Sequence, residues 1–266
     1  MSTVTSTTDL RPVPEAAAGD RPPSPMRLVE VELRKAVDTR AGFWLLAVTG
    51  LVSCAIVVLR LSFGNRSDKT LDVLFVASQV PAGVLVPVIG ILLVTSEWSQ
   101  RGALTTFTLV PHRSRVIGAK LAATVALALA ATVAAMVAAV VGFAVGQALG
   151  ATAGGWHLSG AVIPQLFVAQ VLGMLMGAAF GLLLLNSAAA IVIYFVLPTI
   201  WSVLGQIVGA LRTPAEWLDT GRTTSPLFDS AALTARQWEQ LGTSMALWLL
   251  VPMVVGLWRL GRKEIA

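Results

Sequence analysis

The sequence predicts an all-α, polytopic membrane protein: six transmembrane helices, an amphipathic helix ahead of the first, and both termini in the cytoplasm. Three observations predict it. Hydrophobic residues make up 56% of the 266 residues and charged residues only 12%, about half the roughly 25% charged share of a soluble domain. The 91 residues Leu121–Leu211 contain no Asp, Glu, Lys or Arg. A helix needs about 20 apolar residues to cross a hydrocarbon core of about 30 Å, so this stretch alone holds three crossings and their turns. The charges that remain fall between the apolar runs.

Residues 1–25 are rich in Pro, Ser, Thr and Ala, with Pro12, Pro14, Pro22, Pro23 and Pro25. Such a segment buries too little apolar surface to offset its ordering entropy, and it reads as a disordered cytoplasmic tail rather than a signal peptide. Residues 26–40 set Met26, Val29, Leu33 and Val37 at helical spacing, with Glu30 and Arg34 as a favourable i,i+4 pair. With Arg27 and Lys35 adding positive charge, this is an amphipathic helix for the membrane interface.

Span one covers about 41–59 and is closed by Arg60, and a polar loop holds Asn65, Arg66, Asp68 and Lys69. Span two, about 73–95, carries Pro81 and Pro87, which should bend it unless neighbours satisfy the freed backbone. A polar loop, 96–115, leads to span three, about 116–147, long enough to tilt or project. A Gly-rich connection, 150–160, leads to span four, about 161–185. Asn186-Ser187 is the only polar break before span five, about 188–211; were it a kink, five spans would remain and the termini would separate. An outer segment, 212–242, is expected to hold short re-entrant helices with Trp217, Leu227, Phe228 and Trp238 at interface depth. Span six, about 243–258, is followed by Arg259, Arg262 and Lys263.

With the termini inside, the cytoplasmic side carries 11 Lys/Arg near the spans and the opposite side six, the bias of a positive-inside topology. The net charge of +5 is accounted for by these flanks, so no nucleic-acid partner is expected. Small residues recur at four-residue spacing: Gly142, Gly146 and Gly150 in span three, Gly173, Gly177 and Gly181 in span four, Gly205 and Gly209 in span five. Such faces let helices approach closely, within one chain or between subunits.

The chemistry of an enzyme is missing from the pattern. His112 and His157 are the only histidines and fall on opposite sides, Cys54 is the only cysteine, and no cluster has metal-ligand spacing. Ion-driven carriers place Asp, Glu or His inside the membrane. Here the polar groups of the spans are amides, chiefly Gln147, Gln165, Gln170, Asn186 and Gln206, beside hydroxyls. Of these, Gln165, Gln170, Asn186 and Gln206 are the candidates for a substrate path. No phosphate-cradling GxxxxGK[ST] loop is present either, so energy for transport must come from another polypeptide.

The loop 96–115, SEWSQRGALTTFTLVPHRSR, is the segment suited to docking such a partner. Glu97 and Arg101 form an i,i+4 pair, Gly102 can break the helix, and Leu104, Phe107 and Leu109 are apolar among threonines. Pro111 stops the element, and His112, Arg113, Arg115 and Lys120 form a basic cluster. The order E-x-x-x-R-G-x-L, an apolar stretch, L-x-P-x-x-S-R and a following Ala-Lys resembles the first cytoplasmic loop of type-two ATP-binding-cassette (ABC) exporter permeases. The matching residues are Glu97, Arg101, Gly102, Leu104, Leu109, Pro111, Ser114, Arg115, Ala119 and Lys120. The approach to span one, Glu32 to Lys35, is similar to that family's interface helix, and the likeness covers about 26–266.

The resemblance implies a non-enzymatic permease subunit, multi-pass in a bacterial cell (inner) membrane. It would pair with a second permease subunit, as homodimer or heterodimer, and with a cytoplasmic ABC ATPase subunit that holds the ATP and Mg. It further implies that Glu97 and Arg101 hold the coupling loop's entry, that Leu104 and Leu109 supply its apolar contact, and that Pro111, Arg113 and Arg115 fix its re-entry. Phe107 joins the contact by position. A substrate gripped among uncharged spans is expected to be amphipathic or hydrophobic: a drug, antibiotic, lipid or peptide. A non-transporting polytopic scaffold or assembly factor would explain the same missing chemistry.

Overall fold

The computed structural model describes residues 24–63, 65–66, 69–99, 113–152 and 155–262. Most of the expected tail, 1–23, and most of the expected coupling loop, 100–112, lie outside the described residues. Six helices are long and apolar enough to cross a membrane, and among the described residues there is no strand. The protein is an all-α, multi-pass membrane bundle.

Helix α1, Pro25–Asp38, begins with Ser24 as its N-cap, whose hydroxyl accepts from the Arg27 amide at 3.3 Å. Its last turn runs almost directly into α2, Arg40–Ser62. Only Thr39 intervenes, in an extended conformation (φ −73°, ψ 140°): its amide donates to Lys35 O, closing α1, and its Oγ1 accepts from Gly42 N, opening α2. A Cβ at Gly42 would overlap the Ala36 carbonyl, so this one-residue elbow needs glycine there.

α3, Leu71–Ser99, and α5, Val162–Leu184, are the most deeply buried spans and form the centre of the bundle. α2, α4 (Arg113–Ala148) and α6 (Ser187–Ile207) lie around them with largely exposed apolar faces, as lipid contact requires. α3 runs helical through both Pro81 and Pro87. Side chains of neighbouring helices meet carbonyls near the two prolines: Ser53 Oγ donates to Ser78 O at 2.8 Å, and Gln170 Nε2 to Ala82 O at 3.2 Å.

The break between spans four and five is real. Leu185 takes a left-handed conformation (φ 53°, ψ 23°), Asn186 is extended, and the Asn186 side chain caps α6 by accepting from Ala189 N at 3.0 Å. Arg259 seals the turn by donating to Leu183 O at 2.6 Å. Span five ends at Ile207 rather than 211, because Val208 leaves the helix (φ −94°, ψ 109°). After it come a 3₁₀ turn at Gly209–Leu211, α7 (Arg212–Leu218), α8 (Thr220–Thr224) and a second 3₁₀ turn at Ser225–Phe228.

The last span starts earlier than its hydropathy suggests. α9, Ala235–Met245, opens on a capping box between Thr234 and Gln237 and continues through a π-helical turn, Ala246–Leu250, into α10, Val251–Arg262. The outer segment therefore ends at 234, not 242.

Candidate functional site

α1 docks on the bundle through Val29, Leu33 and Ala36, which pack with Ile89 and Leu93 of α3 and Ala123 and Leu127 of α4. Glu32 lies on this same apolar face and is 4% exposed. Its Oε2 accepts from Lys120 Nζ of α4 at 2.7 Å, with both side chains almost fully buried. Its Oε1 accepts from Lys35, half-exposed, at 2.7 Å. The Lys120 ammonium also donates to the Leu93 carbonyl of α3 at 3.0 Å. One ammonium thus ties together α1, the closing turns of α3 and the opening turns of α4. The last two are the helix ends from which the 100–112 loop departs.

The same end of the bundle is further cross-linked. Thr95 Oγ1, which bonds to Ile91 O, also lies 2.7 Å from Ser187 Oγ at the start of α6. A cavity of about 100 Å³ sits at the elbow, lined by Lys35, Thr39, Gly42, Leu93, Ser96 and Ser187. Among the described residues the buried charged side chains are Glu32, Lys69, Lys120 and Asp219, and none lies in the middle of a span.

The coupling residues expected from the sequence fall as follows. Glu97 is in the last turn of α3 and Arg113 in the first turn of α4. Arg115 follows two residues on and is partly buried. Arg101, Gly102, Leu104, Phe107, Leu109 and Pro111 lie outside the described residues.

The amides expected along a substrate path have mostly structural employment. Gln165 Nε2 donates to the Asp229 and Ala231 carbonyls at 3.0 and 3.2 Å, and lies 3.4 Å from Pro226 O, so it staples the 226–231 strip to α5. Asn186 is a helix cap. Gln206 is exposed on α6 and meets Ser202. Two of the amides also border cavities: Gln170 one of about 200 Å³ walled by Pro87, Gly173, Met176, Tyr194 and Thr220, and Gln165 one of about 190 Å³ with Pro164, Val168, Leu233 and Trp238.

The glycine faces are packed within the chain. A Cβ at Gly177 would overlap the Pro87 backbone of α3, and one at Gly181 would lie 3.2 Å from Ile91 O. Gly173 has more room, its nearest neighbour being Pro87 Cγ at 3.8 Å. Gly142 and Gly146 meet Val57 and Leu61 of α2, and Gly205 meets Ala215 of α7. Gly209 faces open space.

Sequence reasoning missed several contacts. Glycines outside the three series bring helices together: Gly90 against Met174 of α5, and Gly256 of α10 against the Leu182 and Leu183 backbone. Trp248 Nε1 donates to Leu218 O at 2.7 Å, fastening α7 to the π turn. Asp219 caps α8 through Gly221 N at 2.9 Å and pairs with Arg222 at 3.5 Å. The Glu32–Lys120 pair had a signal: each is a charge set among otherwise apolar positions. Among the described residues, His, Cys, Asp and Glu nowhere gather in threes that could hold a metal. No family model matches the chain, and no curated protein is significantly similar to it.

Proposed function

We propose that this chain is the membrane-spanning permease subunit of an ABC exporter, in the bacterial cell (inner) membrane. A separate cytoplasmic ATPase subunit binds ATP and Mg and docks on the 96–115 loop. A second permease subunit completes the path, and the substrate is amphipathic or hydrophobic. The observation that carries this reading is the braced base of that loop. Lys120 holds α3, α4 and α1 in one buried cluster, so a load applied at the loop passes into the bundle instead of bending a free hairpin. The distribution of charge supports it as well. The α1 end carries the larger share of Lys and Arg, as a cytoplasmic face does. The spans between the two ends are left apolar, which suits a substrate without strong charge.

The test is co-purification. The tagged chain, extracted from its native membrane in mild detergent, is expected to bring down an ATPase subunit in stoichiometric amount. The Leu104→Asp/Phe107→Asp double variant is expected to insert normally and lose it. Recovery of the chain alone in several mild detergents would transfer the case to a non-transporting scaffold.

A further inference from the structure

The face by which α1 docks needs only apolar contacts, and Val29, Leu33 and Ala36 supply them. Glu32 and Lys120 in the middle of that face are a different matter. Removing two ions from water costs free energy that their attraction often fails to return, so a well-packed apolar pair would hold the helix at least as firmly. What an ion pair offers and an oily contact does not is a discrete register: an apolar pair stays buried while the helices slide past one another, whereas a 2.7 Å ionic hydrogen bond holds at one alignment. The elbow at Thr39 supplies a pivot, since a single extended residue separates α1 from α2. Lys35 sits half-exposed at the rim, bonded to the other Glu32 oxygen, so the carboxylate is held by two cations.

We propose that Glu32 and Lys120 are positioning residues forming a latch that makes α1 and the paired ends of α3 and α4 move as one body. The latch deepens the permease reading and rests on it. When the α3 and α4 ends shift, Lys120 draws α1 with them through Glu32, and the shift reaches α2 across the Thr39 elbow. α1 is then part of the transmission and not a passive membrane float.

The test compares three variants of the full chain, with its co-purified ATPase, in lipid vesicles: Glu32→Gln, Lys120→Met and the apolar pair Glu32→Leu/Lys120→Met. All should capture the ATPase. The latch predicts that ATP hydrolysis stimulated by the amphipathic dye rhodamine 6G falls at least tenfold in both single variants. It predicts the same loss in the apolar pair although that variant melts no lower than wild type. Full stimulation in the apolar pair would reduce the contact to packing and overturn the latch. If the wild-type chain captures no ATPase, the permease reading has failed, and hydrogen exchange of the α1 amides decides the latch. Exchange at least tenfold faster in Glu32→Gln supports it; exchange unchanged from wild type overturns it.

Discussion

The contact between α3 and α5 makes a graded prediction on one helix face. Gly173, Gly177 and Gly181 stand one turn apart on α5, all toward α3, yet the space beside them differs. A methyl group at Gly177 would collide with the carbonyl of Pro87 and sit 3.1 Å from its carbonyl carbon and 3.3 Å from its Cα. Those are backbone atoms of a buried helix and cannot rotate away. At Gly181 the nearest atom is Ile91 O at 3.2 Å, a tight fit that a small shift can relieve. At Gly173 the nearest is Pro87 Cγ at 3.8 Å, an ordinary contact. Overpacking a close contact costs roughly 1–3 kcal/mol, while replacing a helical glycine by alanine returns up to about 1 kcal/mol of propensity. Gly177→Ala should therefore lose about 1–2 kcal/mol net, Gly181→Ala should come out near neutral, and Gly173→Ala should be neutral or gain up to about 1 kcal/mol. Gly177→Leu, with three more heavy atoms in the same place, should prevent the bundle from assembling. The assay is thermal unfolding of the purified chain in detergent, read as loss of the monodisperse peak. An equal loss at Gly173 and Gly177, or none at Gly177, would refute the close approach of α3 and α5 as drawn here.

Other predictions follow from local geometry. Gln165→Leu removes both amide donors from the Asp229 and Ala231 carbonyls. It should loosen the 226–231 strip by about 1–3 kcal/mol, seen as faster hydrogen exchange of the Asp229 amide, which donates to Pro226 O, with the bundle's melting unchanged. Leu185 is held at φ 53°, where a β-branched side chain fits worse and glycine fits freely. Leu185→Ile should lower stability by about 1–2 kcal/mol and Leu185→Gly should not lower it, again by thermal unfolding in detergent. Trp248→Phe deletes the indole bond to the Leu218 carbonyl, and should cost about 1 kcal/mol with protease sensitivity appearing first near α7.

Much of the fold was legible because membrane spans are written in hydropathy. The uncharged run from Leu121 to Leu211 gave three spans, and the lone polar break at Asn186-Ser187 marked the turn between two of them. The end of span five and the start of span six were misplaced by about four and eight residues respectively. Val208 leaves the helix without a polar residue to announce it, and Arg236, Gln237 and Glu239 lower the hydropathy of a helix that Thr234 and Gln237 in fact cap. Glycine spacing marked faces of close approach, but spacing carries no information about the partner. That α3 and α2 fill those faces is a property of the packed bundle. The polar amides were harder still: Gln165 and Gln170 look alike in sequence, and only the returning strip at 226–231 engages the first. Glu32 and Lys120 are 88 residues apart. Their pairing was beyond any periodicity, though a charge on each apolar face was the visible clue.

The central claim is that a partner's ATP hydrolysis drives movement through this chain. The most direct measurement is ATP-dependent accumulation of an amphipathic fluorescent dye in inside-out vesicles, comparing wild type, Leu104→Asp/Phe107→Asp and vesicles without the chain. The account predicts accumulation with wild type alone, only when ATP and Mg are supplied. Equal accumulation in all three, or accumulation indifferent to ATP, would contradict it.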